Sequence, residues 1–154
     1  MYFIYTLILT LGLIVTLPYY VLRFRKYLPT LFDRLGFLKI PQLHHAIWVH
    51  AVSVGEVRAV EKLLEGLRQQ FPAKPLVVST ATPAGQELAR QRRDIIDHTF
   101  YFPIDLPWCV QRALRRVNPE MVIIAETEIW PNFLRACQTP VSYTHLTLPT
   151  NREV

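Results

Sequence analysis

Residues 46–71 read AIWVHAVSVGEVRAVEKLLEGLRQQF, and the change of hydrophobic period inside this stretch decides the fold. Residues 46–52 form a short apolar run that suits a buried strand. From Glu56 onward, Val57, Val60, Leu63, Leu64 and Leu67 recur at helical spacing. Pro72 ends that helix, because proline lacks the amide donor that a helix interior needs. The same alternation repeats downstream. Residues 76–79 predict a strand and 83–93 a helix with proline in its first turn and arginines in its last. Residues 99–102 predict a strand and 106–117 a helix with Arg112, Arg115 and Arg116 on its wet side. Residues 121–125 form a continuous apolar run, as for a strand covered on both faces, and a short helix begins near Pro131. Four strand–helix rounds joined by right-handed crossovers predict an α/β fold, a Rossmann-like parallel sheet with flanking helices.

Before this domain lies YFIYTLILTLGLIVTLPYYVL, residues 2–22, with no charged side chain. As a helix it would span roughly 31 Å, the depth of a bilayer core. Arg23, Arg25, Lys26, Arg34 and Lys39 follow it against Asp33 alone, so most of the net charge of +5 belongs to this short segment. Cations after the run and none before it predict an amino terminus outside and the remainder in the cytoplasm. The run is longer than a signal-peptide core and ends in bulky residues, which favours an anchor over a cleaved leader. The expected organisation is therefore a transmembrane helix over 1–22, a basic juxtamembrane segment over 23–45, and one domain over 46–138. Cys109 and Cys137 have no metal-ligand spacing and read as buried, reduced thiols.

Ligands of an open parallel sheet bind beyond the carboxyl ends of its strands. The residues that follow the predicted strands are Ser53, Gly55 and Glu56, then Thr80 and Thr82, then Asp105, then Glu126, Thr127 and Glu128. Two carboxylate groups from separate strands at one edge can divide general acid and base work, and Glu56 with Glu126 is the leading pair. Gly55 is expected to allow close backbone approach at the turn. Glu56 in a first helical turn also suits a plain capping residue, whereas Glu126 at the end of an apolar strand is costly unless it is paired or faces a cleft. His44, His45, His50 and His98 lack metal spacing, and neither a GxGxxG nor a GxxxxGK[ST] motif occurs. The arginines near 90–93 and 112–116 read as solvated helix faces. Arg34 is the better candidate for an anionic contact near a membrane.

The strings RLG (34–36), WVHAVSVGE (48–56), PLVVSTATPAG (75–85), YFPIDLP (101–107) and AETEIWPN (125–132), in this order, resemble the blocks of the Kdo transferase family. Kdo is 3-deoxy-D-manno-octulosonic acid, and the resemblance covers the apolar run and about residues 30–138. It implies the amino-terminal half of a GT-B glycosyltransferase that needs no metal or cofactor. It further implies CMP-Kdo as donor, the lipid A precursor lipid IVA as acceptor, and a place on the cytoplasmic face of the inner membrane. By motif, Glu56 corresponds to the general base and Glu126 to a second essential carboxylate. Arg34, Ser53, Gly55, Thr80, Thr82 and Glu128 are the expected substrate contacts. The resemblance also implies a second domain holding most donor contacts, so no turnover is expected from this chain alone. The stretch 139–154 matches nothing expected after ETEIWPN and is assigned no role. The rival reading is a membrane-tethered Rossmann-like module that binds a lipid or nucleotide without chemistry. Nucleic acid is not an expected partner, since residues 40–138 are near neutral.

Overall fold

The computed structural model describes residues 2–23, 28–125, 130–138 and 142–145. After two helices, α1 (Tyr2–Arg23) and α2 (Leu28–Arg34), strands and helices alternate. They are β1 (Ala46–His50), α3 (Val54–Ala59), α4 (Glu61–Gln70), β2 (Leu76–Thr80), α5 (Pro83–Gln91) and β3 (His98–Tyr101). Then come α6 (Pro107–Val117), β4 (Pro119–Ile124), α7 (Pro131–Cys137) and β5 (Ser142–His145). The sheet order is β3-β2-β1-β4-β5, and every pairing is parallel. This is the α/β architecture that the alternation predicts.

Two details depart from the sequence reading. The helix expected over Glu56–Phe71 is two helices, broken at Val60, whose ψ of 1° leaves the helical range. The short α3 packs against α5, with Val57 and Val60 buried. Residues 142–145, within the stretch assigned no role, pair with β4 as a fifth strand, Met121 opposite Ser142 and Ile124 opposite His145.

All five residues of β1 are buried, as a central parallel strand requires when helices cover both faces. Alternate side chains feed two cores. Ile47, Val49 and Ala51 pack with Val57, Val60, Leu64 and Leu67 of α3 and α4. Ala46 and Trp48 face Val110, Ala113 and Val117 of α6 and Phe133 of α7. Trp48 sits among Phe100 and Phe133, ring centroids 5.1 Å away in each case and edge-on, and its indole N–H donates to Ser79 Oγ at 2.7 Å.

The helix expected over the amino-terminal apolar run forms, but among the described residues no helix is long and apolar enough to cross a membrane. Within α1 two threonine hydroxyls bond back to helix carbonyls, Thr10 to Thr6 O and Thr16 to Gly12 O, both at 2.7 Å. Thr6 also bonds Asn132 of α7, while Phe3, Ile4, Ile8, Ile14 and Val15 stay exposed.

Candidate functional site

Arg34 reaches the carboxyl edge of the sheet because of how α2 ends. Gly36 has φ +82°, Phe37 N–H donates to Phe32 O at 2.9 Å, and Gly36 N–H donates to Asp33 O at 2.8 Å, the paired bonds of a Schellman stop. A Cβ on Gly36 would lie 2.5 Å from Cys109 O, so this turn needs glycine for both conformation and space. The stop leaves Arg34 with its Nη2 donating to Ala81 O at 2.6 Å and its guanidinium 5.1 Å from the Tyr101 ring centre. Ala81 directly follows β2, and its N–H donates to Val52 O, the residue after Ala51 beyond β1. Arg34 and the ends of the two central strands therefore form one connected set.

Glu56 joins that set from the first turn of α3. Its Oε2 accepts the Val52 N–H at 2.6 Å and its Oε1 accepts the Ser53 hydroxyl at 2.9 Å. The side chain thus folds back over the start of its own helix, much as the glutamate of a capping box does. Two of the carboxylate's acceptor positions are taken, and an ionised carboxylate has about four. Oriented in this way, a half-buried carboxylate can still accept a proton or a hydroxyl from a ligand. Ser53 is half-buried and orients Glu56.

Nothing in the described chain crowds Gly55. A Cβ there would meet nothing closer than Ser53 Oγ at 3.9 Å, so no backbone approach requires glycine. The close approach occurs instead at Gly85, where a Cβ would meet Thr82 Oγ1 at 3.0 Å and the Ser53 carbonyl carbon at 3.2 Å. Thr82 caps α5 by accepting the Gly85 N–H at 3.1 Å. The structure places Thr80 in the interior: it is fully buried and bonds Gln86 at 2.7 Å, away from the open edge. With its amide nitrogen toward Phe100 O and Thr80 Oγ1, Gln86 also places its oxygen 3.1 Å from Phe100 N and 3.2 Å from Thr99 Oγ1. It thereby covers the backbone of the edge strand β3.

Glu126 and Glu128 lie outside the described residues. The chain on either side of them is anchored: Ala125 N–H donates to His50 O at 2.9 Å, and α7 begins on Asp105. Asp105 is buried, and burial pushes its pKa above its ordinary value despite the N–H groups of Asn132 and Phe133 that its carboxylate accepts. His50, at the end of β1, is also buried. Its Nδ1 lies 2.9 Å from Ser79 Oγ, its ring stacks on Phe102, and its Nε2 has no hydrogen-bond partner among the described residues. Asn132 and Gln86 escaped the sequence reading because single polar residues in amphipathic helices look solvent-facing. The available signal was the Trp130-Pro131 start of α7, which supplies no cap of its own. Among the described residues no group of three His, Cys, Asp or Glu side chains could hold a metal ion.

The fold and this edge define a class: a Rossmann-like α/β domain with a carboxylate and a guanidinium gathered where its two central strands end. Residues 30–145 match the family model described as 3-Deoxy-D-manno-octulosonic-acid transferase (kdotransferase), and the chain belongs to that family. A Haemophilus influenzae protein named 3-deoxy-D-manno-octulosonic acid transferase is 36% identical over 115 residues, 71% of this chain and 26% of that protein. Relatives of the same name from Chlamydia trachomatis and Aquifex aeolicus are 36% and 26% identical, covering 57% and 62% of this chain and 21% and 26% of their own lengths. The chain thus spans about a quarter of the curated relatives it matches.

Proposed function

We propose that this chain is the acceptor-side part of a membrane-associated glycosyltransferase that moves Kdo from CMP-Kdo to lipid IVA. The observation that carries this reading is the Glu56 carboxylate, held by Val52 N–H and Ser53 Oγ at the end of the central strand. In the reaction a sugar hydroxyl of the acceptor attacks the anomeric carbon of Kdo. Its proton passes to Glu56, the new C–O bond forms, and the bond from that carbon to the phosphate oxygen of CMP breaks with its electron pair. Glu126 is the second carboxylate, and Arg34 offers positive charge to an anionic group of a ligand. Most donor contacts are expected to come from a second domain.

Membrane association is supported by two sets of exposed groups. One is the apolar surface of α1. The other is Phe32, Phe37 and Trp108, with the Arg112 guanidinium 4.0 Å from the Phe37 ring centre and 5.4 Å from that of Trp108, a pairing suited to a lipid interface. Both suit contact with a membrane, and the cations that follow residue 22 make the cytoplasmic face of the inner membrane the proposed site of action.

Glu56→Gln in the full-length enzyme tests the reading. Glutamine keeps one acceptor oxygen for the turn but cannot take the proton, so kcat should fall by about 100-fold or more with acceptor affinity retained. An unchanged kcat would make Glu56 a capping residue and favour the binding-module reading.

A further inference from the structure

We propose that Asp105 is a positioning residue: its carboxylate holds α1 and the start of α7 in one arrangement, and so sets the far end of the acidic stretch leading into α7. The start of α7 cannot cap itself. α7 starts on Trp130, which gives no side-chain cap, and Pro131, which has no N–H, so the first amides needing acceptors are those of Asn132 and Phe133. Asp105, from the β3–α6 connection, meets both: Oδ2 accepts Asn132 N–H at 3.0 Å and Oδ1 accepts Phe133 N–H at 2.8 Å. Its backbone carbonyl accepts Asn132 Nδ2 at 2.6 Å.

A local serine or aspartate in place of Trp130 would cap the helix without burying a charge. Asp105 is 1% exposed, and a carboxylate at that depth is tolerated only when several donors converge on it. What the remote carboxylate does that a local cap would not is join elements distant in sequence. The Tyr5 hydroxyl of α1 interacts with the same carboxylate. Asn132 Nδ2 lies 3.1 Å from Thr6 Oγ1, and Arg135 of α7 sits 5.2 Å from the centre of the Tyr2 ring. One buried group thus fixes how the amino-terminal helix sits on the domain and where α7 begins. The chain carrying Glu126 and Glu128 joins two held points, Ala125 on His50 O and Asn132 on Asp105, and Asp105 sets the second.

Only the consequence for rate rests on the proposed transferase reading; the arrangement itself stands apart from it. The test uses the full-length enzyme, with D105N and Y5F beside the wild type. Asparagine offers one acceptor oxygen where two amides need partners, so exchange of the Asn132 and Phe133 amide hydrogens should quicken by about tenfold or more. Per folded molecule, kcat should drop by about tenfold or more while KM for the acceptor stays within about twofold. A purely structural loss would lower the folded fraction and leave kcat per folded molecule unchanged. Y5F keeps both capping bonds, and it should speed exchange in the first turns of α1 while Asn132 and Phe133 stay protected. The proposal is overturned if D105N leaves exchange or kcat unchanged, or, should D105N not fold, if Y5F leaves α1 exchange unchanged. A wild-type enzyme without Kdo transfer would sink the proposed function instead, and the exchange data would then judge the arrangement alone.

Discussion

Part of the destabilisation on acidification should come from His50. Its side chain is wholly buried, stacked on Phe102 with ring centroids 4.0 Å apart, and bounded by Ser79 on β2. Burial holds its pKa down at about 4, against an ordinary value of 6.5, with the Ser79 backbone contact pulling weakly the other way. Because the folded value is the lower one, the neutral ring stabilises the fold fully above 6.5. That contribution is lost as pH falls toward about 4. At about 1.4 kcal/mol per pH unit of separation, the gap amounts to about 3 kcal/mol, most of it gone by about pH 4.5. Urea unfolding followed by tryptophan fluorescence, at pH values from 7.5 to 4.5, measures it. The comparison is His50→Leu, which cannot titrate and leaves Ser79 Oγ free to accept the Trp48 indole N–H. Carboxylates such as Asp105 contribute equally to both proteins, so the difference between the two stability curves isolates His50. Parallel curves would refute the reasoning.

Two further outcomes follow from the geometry. Gly36→Ala should lower stability by about 2 kcal/mol in thermal or urea unfolding, since alanine must adopt φ +82° and place its Cβ against Cys109 O. It should also weaken the Arg34 contact with Ala81, visible as a shifted Ala81 carbonyl resonance. Burial pushes the Cys109 and Cys137 thiols up to about 12, so both should resist alkylation at pH 8 in the native protein and react promptly once it is unfolded in urea. Rapid native labelling of either thiol would contradict their buried placement.

The strand–helix rhythm was readable in advance because it is a local property. A buried strand writes itself as an apolar run, and a helix covering one face of a sheet writes itself as a stripe every three to four residues. The edge residues were readable for a related reason: Ser53, Glu56 and Thr82 had to follow their strands wherever the strands lay. Other features could not be read locally, because a side chain's neighbour is distant in sequence. Thr80 sits at a strand end, yet Gln86 from α5 draws it into the interior. Gly55 lies in a motif, yet the position that is sterically tight is Gly85, because α5 packs onto Ser53.

The amino-acid order by itself determined the succession of elements, the parallel class of sheet and the set of polar groups available at its edge, since each depends on patterns within about ten residues. The tertiary structure decided the order β3-β2-β1-β4-β5, the reach of Arg34 to Ala81 and the capping of α7 by Asp105. These pairings join residues tens of positions apart. Their energies come from burial and from donors meeting acceptors in space, and no local period records where the chain returns to itself.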